Sequence, residues 1–264
     1  MLKPIQRISG GVLLAAVLAC TAPTAQAQGN LASRLAPQGQ LRVGLIGSNA
    51  ILIQRGADGK LSGIAVELAG RLAAQLGVPL RMIPYETAAL YAASLGKAEW
   101  DIVMSGRDPS RSEFIAFSDP YLEIDSLYLA RPGLELKSAE EVDRPDIRIV
   151  VYEGGSQDNY LTRELKHASL LRVRTPAAAR EALASGRADV LGATSTGVYK
   201  MAADYAGTTV LSGRFSVVQQ AIGVPKANAD LLPFINGFLL EAKRSGMVAD
   251  EIRREGLQGV HPAP

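Results

Sequence analysis

The sequence is poor in cysteine and histidine. Cys20 is the only cysteine among the 264 residues, which excludes an intramolecular disulfide and any metal site built from cysteines. Neither of the two histidines is well placed for general acid–base catalysis, because His167 lies at a charged helix end and His261 lies in the C-terminal tail. The motifs G-x-S-x-G and H-E-x-x-H and the P-loop are absent. These absences exclude the common hydrolases, zinc proteases and nucleotide-binding proteins, and we expect no metal and no cofactor.

The sequence also lacks a large charge of either sign. Lysine and arginine number 28, aspartate and glutamate number 26, and the formal net charge is +2. Residues 1–27 contain Lys3 and Arg7 but no acidic residue, so their removal lowers the basic total from 28 to 26 and leaves the chain neutral. No cluster of basic residues occurs of the kind that binds phosphate backbones or anionic lipids. We therefore expect neither nucleic acid nor a membrane surface as a partner.

The N-terminal segment, residues 1–27, predicts a secretory signal peptide. A basic start precedes an apolar run over residues 12–19, and Ala25 and Ala27 provide the small residues of a cleavage site. The apolar run is too short to span a bilayer. An alternative is that residues 17–20 form a lipobox and Cys20 carries a lipid anchor, although Leu18 fits that motif poorly. Both interpretations predict export.

Residues 101–121, DIVMSGRDPSRSEFIAFSDPY, predict an anion-binding site. A short buried strand ends at Gly106, and a helix is expected to begin with Asp108 as its N-cap and Pro109 in its first turn. The free N–H groups of a helix start attract anions, and Arg111 adds a guanidinium that matches a carboxylate. The alternative is a surface arginine on an ordinary capped helix.

Strands alternating with helices predict an α/β fold with a mostly parallel sheet. A buried strand over residues 41–46 is followed by a helix over 64–76, whose leucines recur every four residues, and by another strand over 78–84. In open sheets of this kind ligands bind beyond the carboxyl ends of the strands. The residues expected at that edge in the first half of the chain are Asn49, Tyr85, Met104, Ser105 and Gly106.

The second half of the chain repeats this organisation. A strand over residues 147–151 is followed by Gly155 and Ser156 at a helix start, where backbone N–H groups and a hydroxyl face a ligand site. A plain strand-to-helix loop would use the same residues. Another predicted strand ends at Thr194, again before a helix.

Three motifs together resemble the family 3 extracellular solute-binding proteins, the amino-acid-binding components of bacterial ABC importers. They are R-x5-F-S-D-P-Y at residues 111–121, G-x-L-x-G-I-x-V-E-L-A-x-x-L-A-x-x-L-G at 59–77 and S-G-R-A-D at 185–189. The resemblance extends over residues 41–256. It implies a type II periplasmic-binding-protein fold, in which two α/β lobes joined by two crossing strands close over a ligand.

The resemblance also implies a domain organisation. After the signal peptide, we expect a first lobe that begins with residues 38–128 and is completed by 219–258. Residues 129–218 form the second lobe, and residues 259–264 form a frayed tail.

By this resemblance, Arg111 holds the α-carboxylate of the ligand, but two other family features are replaced. The aromatic residue that commonly stacks on the ligand is missing after the first strand, and Tyr85 is the candidate substitute. The acidic residue that pairs with the α-ammonium aligns with Thr194. Because a buried ammonium without a carboxylate costs several kcal/mol, we expect a ligand that lacks a free α-amine or whose amine meets neutral oxygens.

The resulting hypothesis is a monomeric, periplasmic capture protein that delivers a small carboxylate-bearing solute to an inner-membrane ABC permease, and not an enzyme. One alternative is an enzyme on the same scaffold, because cyclohexadienyl dehydratases resemble family 3 binders, and Glu86 and Glu153 are the candidate acids. Another is a binder that presents its ligand to a sensor.

Overall fold

The computed structural model describes residues 23–47 and 49–264, with side chains from residue 29 onward. The lipobox alternative at Cys20 and almost all of the predicted signal peptide lie outside these residues. The predicted cleavage site falls in the backbone of the first described helix, α1 (Pro23–Leu35). No helix in the described part of the chain combines the length and the apolar character needed to cross a membrane.

Two groups of strands and helices follow one another along the chain. The first group contains β1 (Leu41–Ile46), β2 (Gln54–Arg55), β3 (Leu61–Ser62), α2 (Ile64–Leu76), β4 (Leu80–Tyr85), α3 (Ala88–Ser94) and β5 (Ile102–Gly106). A 3-10 turn, Pro109–Arg111, leads to the long strand β6 (Ile115–Ala130). The second group contains β7 (Arg148–Tyr152), α4 (Ser156–Glu164), β8 (Ser169–Val173), α5 (Pro176–Ala184), β9 (Val190–Thr194), α6 (Ser195–Asp204) and β10 (Thr209–Val210). The chain ends with β11 (Ser216–Pro225), α7 (Leu232–Arg244), α8 (Met247–Arg254) and β12 (Val260–Pro262).

The main sheet joins these groups in the order β4-β1-β5-β11-β6-β9-β7-β8. Strands β4, β1 and β5 pair in parallel in the first half, as do β9, β7 and β8 in the second. Between them run β11 and β6, which pair antiparallel to each other. Both connect the two halves, so the predicted α/β architecture with two crossing strands is confirmed.

The apolar helix predicted over residues 64–76 illustrates how the sequence builds each half. Leu68, Leu72 and Leu76 are all buried against the sheet, as their spacing requires. The helix ends at Gly77, whose left-handed conformation (φ 70°) lets its N–H bond to the carbonyls of Ala73 and Ala74. A residue with a side chain would be strained in this position.

Two details differ from the sequence-based expectations. The capped segment at Asp108 and Pro109 is a single 3-10 turn and not the start of a longer helix, because the chain enters β6 at Ile115. The predicted frayed tail at 259–264 is instead ordered, since Val260–Pro262 pairs with β6 as an antiparallel edge strand. Val260 is buried in this pairing, which explains why the segment does not fray.

Candidate functional site

A cavity of about 310 Å³ lies between the two halves and against the crossing strand β11. Both halves contribute polar groups from the carboxyl ends of strands and from helix starts, as expected for an open α/β sheet. The wall from the first half includes Ile46, Asn49, Ala50, Leu52, Met104, Ser105 and Gly106. The wall from the second half includes Glu153, Gly155, Ser156, Gln157, Arg174, Thr194, Thr196, Lys200, Met201 and Asp204, and β11 adds Val218 and Gln220.

Seven of the nine predicted site residues meet at this cavity. They are Asn49, Met104, Ser105, Gly106, Gly155, Ser156 and Thr194. The other two, Tyr85 and Arg111, do not line it. Tyr85 lies in a separate surface hollow and donates a hydrogen bond from its hydroxyl to Glu99 Oε2 (2.8 Å), so the structure brings no ring from β4 into the cavity.

Arg111 lies behind the cavity wall. Its side chain is only 2% exposed, and Nη1 donates hydrogen bonds to Ser105 Oγ (2.7 Å) and to the carbonyl oxygen of Gly106 (2.9 Å). Nη2 donates to the carbonyl oxygen of Gly154 (3.2 Å), and the guanidinium carbon lies 5.2 Å from the centre of the Tyr91 ring. All these partners are formally neutral, and within the described residues Arg111 has no carboxylate close enough for an ion pair.

Tyr91 provides no counter-charge for this guanidinium. Burial raises the pKa of the Tyr91 hydroxyl, and this effect outweighs the opposing influence of Arg111. The phenol is therefore neutral at physiological pH. An isolated buried cation is expensive, by several kcal/mol, which makes this part of the cavity wall favourable for an anion.

Gly106 is the residue at which the polar groups of the inner cavity converge. Its carbonyl accepts from Arg111, and Gly106 pairs with Gln220 in the β5–β11 ladder. A Cβ at Gly106 would lie 2.6 Å from Val218 Cγ1, 2.7 Å from Ser156 Oγ and 3.7 Å from Gln220 Nε2. Glycine is therefore required here by the close approach of neighbouring side chains.

The start of α4 faces the same end of the cavity. Gly155 is the N-cap, no side chain caps the helix, and the N–H groups of the first turn have no partner inside the helix. The neighbouring Gln157 is oriented by a hydrogen bond from its Nε2 to Ser126 Oγ (3.0 Å) on β6. This arrangement adds donors to the inner end of the cavity.

Thr194 has a local role at the start of α6. Its Oγ1 accepts a hydrogen bond from the N–H of Gly197 (3.4 Å) and lies 3.5 Å from Thr196 Oγ1. The hydroxyl therefore caps the helix while it lines the cavity.

Charged residues of the second half also line the cavity, and most of them are not among the residues predicted from the sequence. Glu153 pairs with Arg174 (2.7 Å), and Asp204 pairs with Lys200 (3.5 Å). All four side chains are at least 40% exposed, so they form an outer rim rather than the inner end. Arg174 follows the end of β8 and the strand-end rule could have identified it, whereas no sequence signal marks the cavity face of α6.

Direct contacts hold the two halves together next to Arg111. Asn159 Nδ2 donates to Ser110 Oγ (3.1 Å), and Arg163 Nη1 lies 3.4 Å from Asp108 Oδ1. Both donors lie on α4, in the second half, and both acceptors lie in or beside the 3-10 turn of the first half. The halves are thus closed around the cavity.

Comparison with known proteins identifies related sequences and structures. Residues 41–254 match the profile of the bacterial extracellular solute-binding proteins, family 3. The L-cystine-binding protein TcyJ of Escherichia coli is 25% identical over 241 residues, covering 89% of this chain and 90% of its own. Cyclohexadienyl dehydratase of Pseudomonas aeruginosa is 28% identical over 186 residues, covering 67% and 69%. The arginine-bound form of truncated ArgBP from T. maritima superposes with a TM-score of 0.67 at 26% identity, covering 79% of this chain and 99% of that one.

Proposed function

The chain belongs to the bacterial extracellular solute-binding proteins of family 3, and we propose that it captures a small, amino-acid-like solute by its carboxylate between two closing lobes. Its fold is the type II periplasmic-binding-protein fold. The proposed lobes are residues 38–128 with 219–258, and residues 129–218. Closing the lobes on a ligand shifts the balance between open and closed forms, which is what a transport partner can distinguish.

The observation that carries this proposal is the buried guanidinium of Arg111, which has no carboxylate partner in the described part of the chain and lies behind the cavity wall at Ser105 and Gly106. Ser105 Oγ accepts from Arg111 and donates a long hydrogen bond (3.4 Å) to the Gly106 carbonyl oxygen, a donation that the hydroxyl can exchange for a ligand oxygen. The first turn of α4, whose N–H groups no side chain caps, lines the same cavity. A ligand carboxylate at this point would supply the missing counter-charge, with Arg111 acting through Ser105.

The cavity geometry also bears on whether the ligand carries an amine. Thr194 offers only a hydroxyl that already caps α6, which supports a ligand without an α-amine or one whose amine meets neutral oxygens. The rim carboxylates of Glu153 and Asp204, however, lie close enough to line the cavity. They would meet an amine only after exchanging their present partners, Arg174 and Lys200.

The proposed setting is the periplasm, with an inner-membrane ABC permease as partner and a monomeric binder. Family membership supports an extracytoplasmic role, and the relative TcyJ is named for binding L-cystine. A protein that presents its ligand to a sensor would use the same cavity and the same closure.

A second candidate is an enzyme, because one relative is a cyclohexadienyl dehydratase. Glu153 is the candidate acid at the cavity, but it is paired with Arg174 and its side chain is 40% exposed. It thus lacks the apolar burial that prepares a carboxylic acid for proton donation. Glu86 borders the hollow near Tyr85 and not the cavity. Turnover of prephenate or arogenate by the mature protein would establish the enzyme and overturn the transport proposal.

A thermal-shift screen of the mature protein tests the proposal. The panel contains the L-amino acids including cystine, their deaminated and N-acylated analogues, and small dicarboxylates. A ligand at a hundred times its dissociation constant adds about 2.7 kcal/mol of stability, a readily measured shift. We expect at least one carboxylate to stabilise the wild type. A panel without any stabilising carboxylate would contradict the proposal.

A further inference from the structure

Gln220, in the middle of the crossing strand β11, has an unusual environment for an amide. Its side chain is 3% exposed and lines the cavity, yet within the described residues it makes no hydrogen bond. Its Oε1 is fully buried without a partner. Buried amides in folded proteins are nearly always hydrogen-bonded, because leaving one unpaired destabilises the fold. The buried Oε1 can only accept a hydrogen bond, so the part of the amide that can contact an anionic ligand is Nε2, which also has no partner among the described residues.

The Gln220 amide lies at the inner end of the cavity and not at the rim. Gln220 pairs with Gly106 across the ladder, and Nε2 lies 3.7 Å from the point where a Cβ on Gly106 would be. Ser156 Oγ lies 2.7 Å from the same point. Ser105 precedes Gly106 and accepts a hydrogen bond from Arg111.

We propose that the Gln220 amide donates a hydrogen bond to the carboxylate of the bound solute, as a third side-chain donor beside Ser105 and Ser156. The inference rests on the proposed function, because it assumes a carboxylate at the inner end of the cavity. No acidic side chain lies among the groups that surround Gly106, and the buried charge of Arg111 favours an anion there. The rim carboxylates that would suit a cation belong to the second half alone.

Two substitutions distinguish donation from acceptance and from a structural role. Gln220→Met keeps the length of the side chain and removes both polar atoms. Gln220→Glu keeps the shape but replaces the amide by an acceptor that carries negative charge at neutral pH. The matched control is Gln219→Met, because Gln219 is the preceding residue on β11, donates from Nε2 to Glu123 Oε1 (3.0 Å) and does not line the cavity.

The measurement is isothermal titration of each variant with the carboxylates of the panel, together with the melting temperature of the unliganded protein. We expect Gln220→Met to bind at least tenfold more weakly without a lower melting temperature, because it removes a buried unpaired amide. Gln220→Glu should bind more weakly still, since its charge repels the carboxylate. Gln219→Met should bind as the wild type does.

Three outcomes would overturn the inference. Unchanged affinity in Gln220→Met would show that the amide does not touch the ligand, and tighter binding by Gln220→Glu would show that it accepts from a ligand cation. A lower affinity of Gln220→Met that comes with a lower melting temperature would assign a structural role. In all three cases the wild type still binds, so the proposed function stands; only a wild type that binds no carboxylate overturns both.

Discussion

Arg111 donates a hydrogen bond across the cleft, from Nη2 to the carbonyl oxygen of Gly154 (3.2 Å). The same guanidinium contacts Ser105 and Gly106 of its own half through Nη1. The buried guanidinium of Arg111 thus contacts both halves of the molecule at the inner end of the cavity. We therefore expect an anion bound next to Arg111 to favour closure of the two halves, because the same side chain contacts both.

We predict that weakening the contact between α4 and the 3-10 turn lowers affinity without altering the cavity. Arg163→Met removes the ion pair with Asp108, in which Arg163 is 39% exposed. A pair of this exposure contributes about 0.2–1 kcal/mol, so affinity should fall by a factor of about 1.4 to 5. Isothermal titration measures the effect. Arg187→Met is the control, because Arg187 pairs with Glu181 on the outer surface of α5; an equal loss in both variants would contradict a role in closure.

Gly106→Ala should prevent full closure. The added Cβ would lie 2.6 Å from Val218 Cγ1 on β11 and 2.7 Å from Ser156 Oγ on α4, so the Val218 side chain would have to shift and α4 would have to move away from β5. We expect ligand affinity to fall by at least tenfold. Small-angle scattering should show a more open form in the presence of ligand.

The matched control for this substitution is Gly70→Ala in α2, where a Cβ would meet nothing within 4 Å. Because alanine is the better helix former, this variant should gain about 0.5–1 kcal/mol of stability and bind normally. Normal closure and affinity in Gly106→Ala would contradict the crowding at Gly106.

Asp189 should make folding stability depend on pH. Its carboxylate accepts from the backbone N–H and the guanidinium of Arg148 and from Arg131. Burial alone would raise the pKa of Asp189, but these hydrogen bonds lower it by a larger amount. The pKa of Asp189 therefore lies below its usual value. A carboxylate with a lowered folded-state pKa stabilises the protein above its unfolded pKa, and this stability disappears as pH falls through the folded pKa.

We therefore predict that Asp189→Asn costs about 1.5–3 kcal/mol near neutral pH and that the difference from the wild type shrinks as pH falls below about 4. Urea unfolding at several pH values measures it. Asp146→Asn should have little effect, because the Asp146–Arg144 pair is exposed. A wild-type-to-variant difference that grows at low pH would contradict the predicted sign.

Thr194→Val separates the two roles of Thr194. Loss of the cap on α6 should lower stability by about 1 kcal/mol. If Thr194 also provides the neutral oxygen for a ligand amine, free α-amino acids should lose affinity while their deaminated analogues keep theirs. Titration of matched pairs measures this, and undiminished binding of α-amino acids would refute the part played by Thr194.

The lobed fold and most of the cavity could be predicted from the sequence, because both follow from the succession of strands and helices along the chain. Ser105 lies near the end of a strand and Ser156 lies at the start of a helix. Because ligands bind beyond the carboxyl ends of strands in open α/β sheets, both residues could be predicted at the cavity. Arg111 was predicted near the inner end of the cavity, where the structure has it. Its burial behind Ser105 could not be predicted, because it depends on the carbonyl of Gly154, 43 residues further along the chain. Gln220 was missed because it lies in mid-strand, where side-chain direction follows from the pairing of β11 with β5.

The most direct test of the central claim compares a carboxylate with its uncharged primary amide. Isothermal titration would use the tightest carboxylate of the panel and its amide, with the wild type, Arg111→Met and Lys200→Met. We predict that the wild type prefers the carboxylate at least tenfold, that Lys200→Met keeps this preference and that Arg111→Met loses it. Equal binding of the two ligands by the wild type, or a preference that survives in Arg111→Met, would contradict the account.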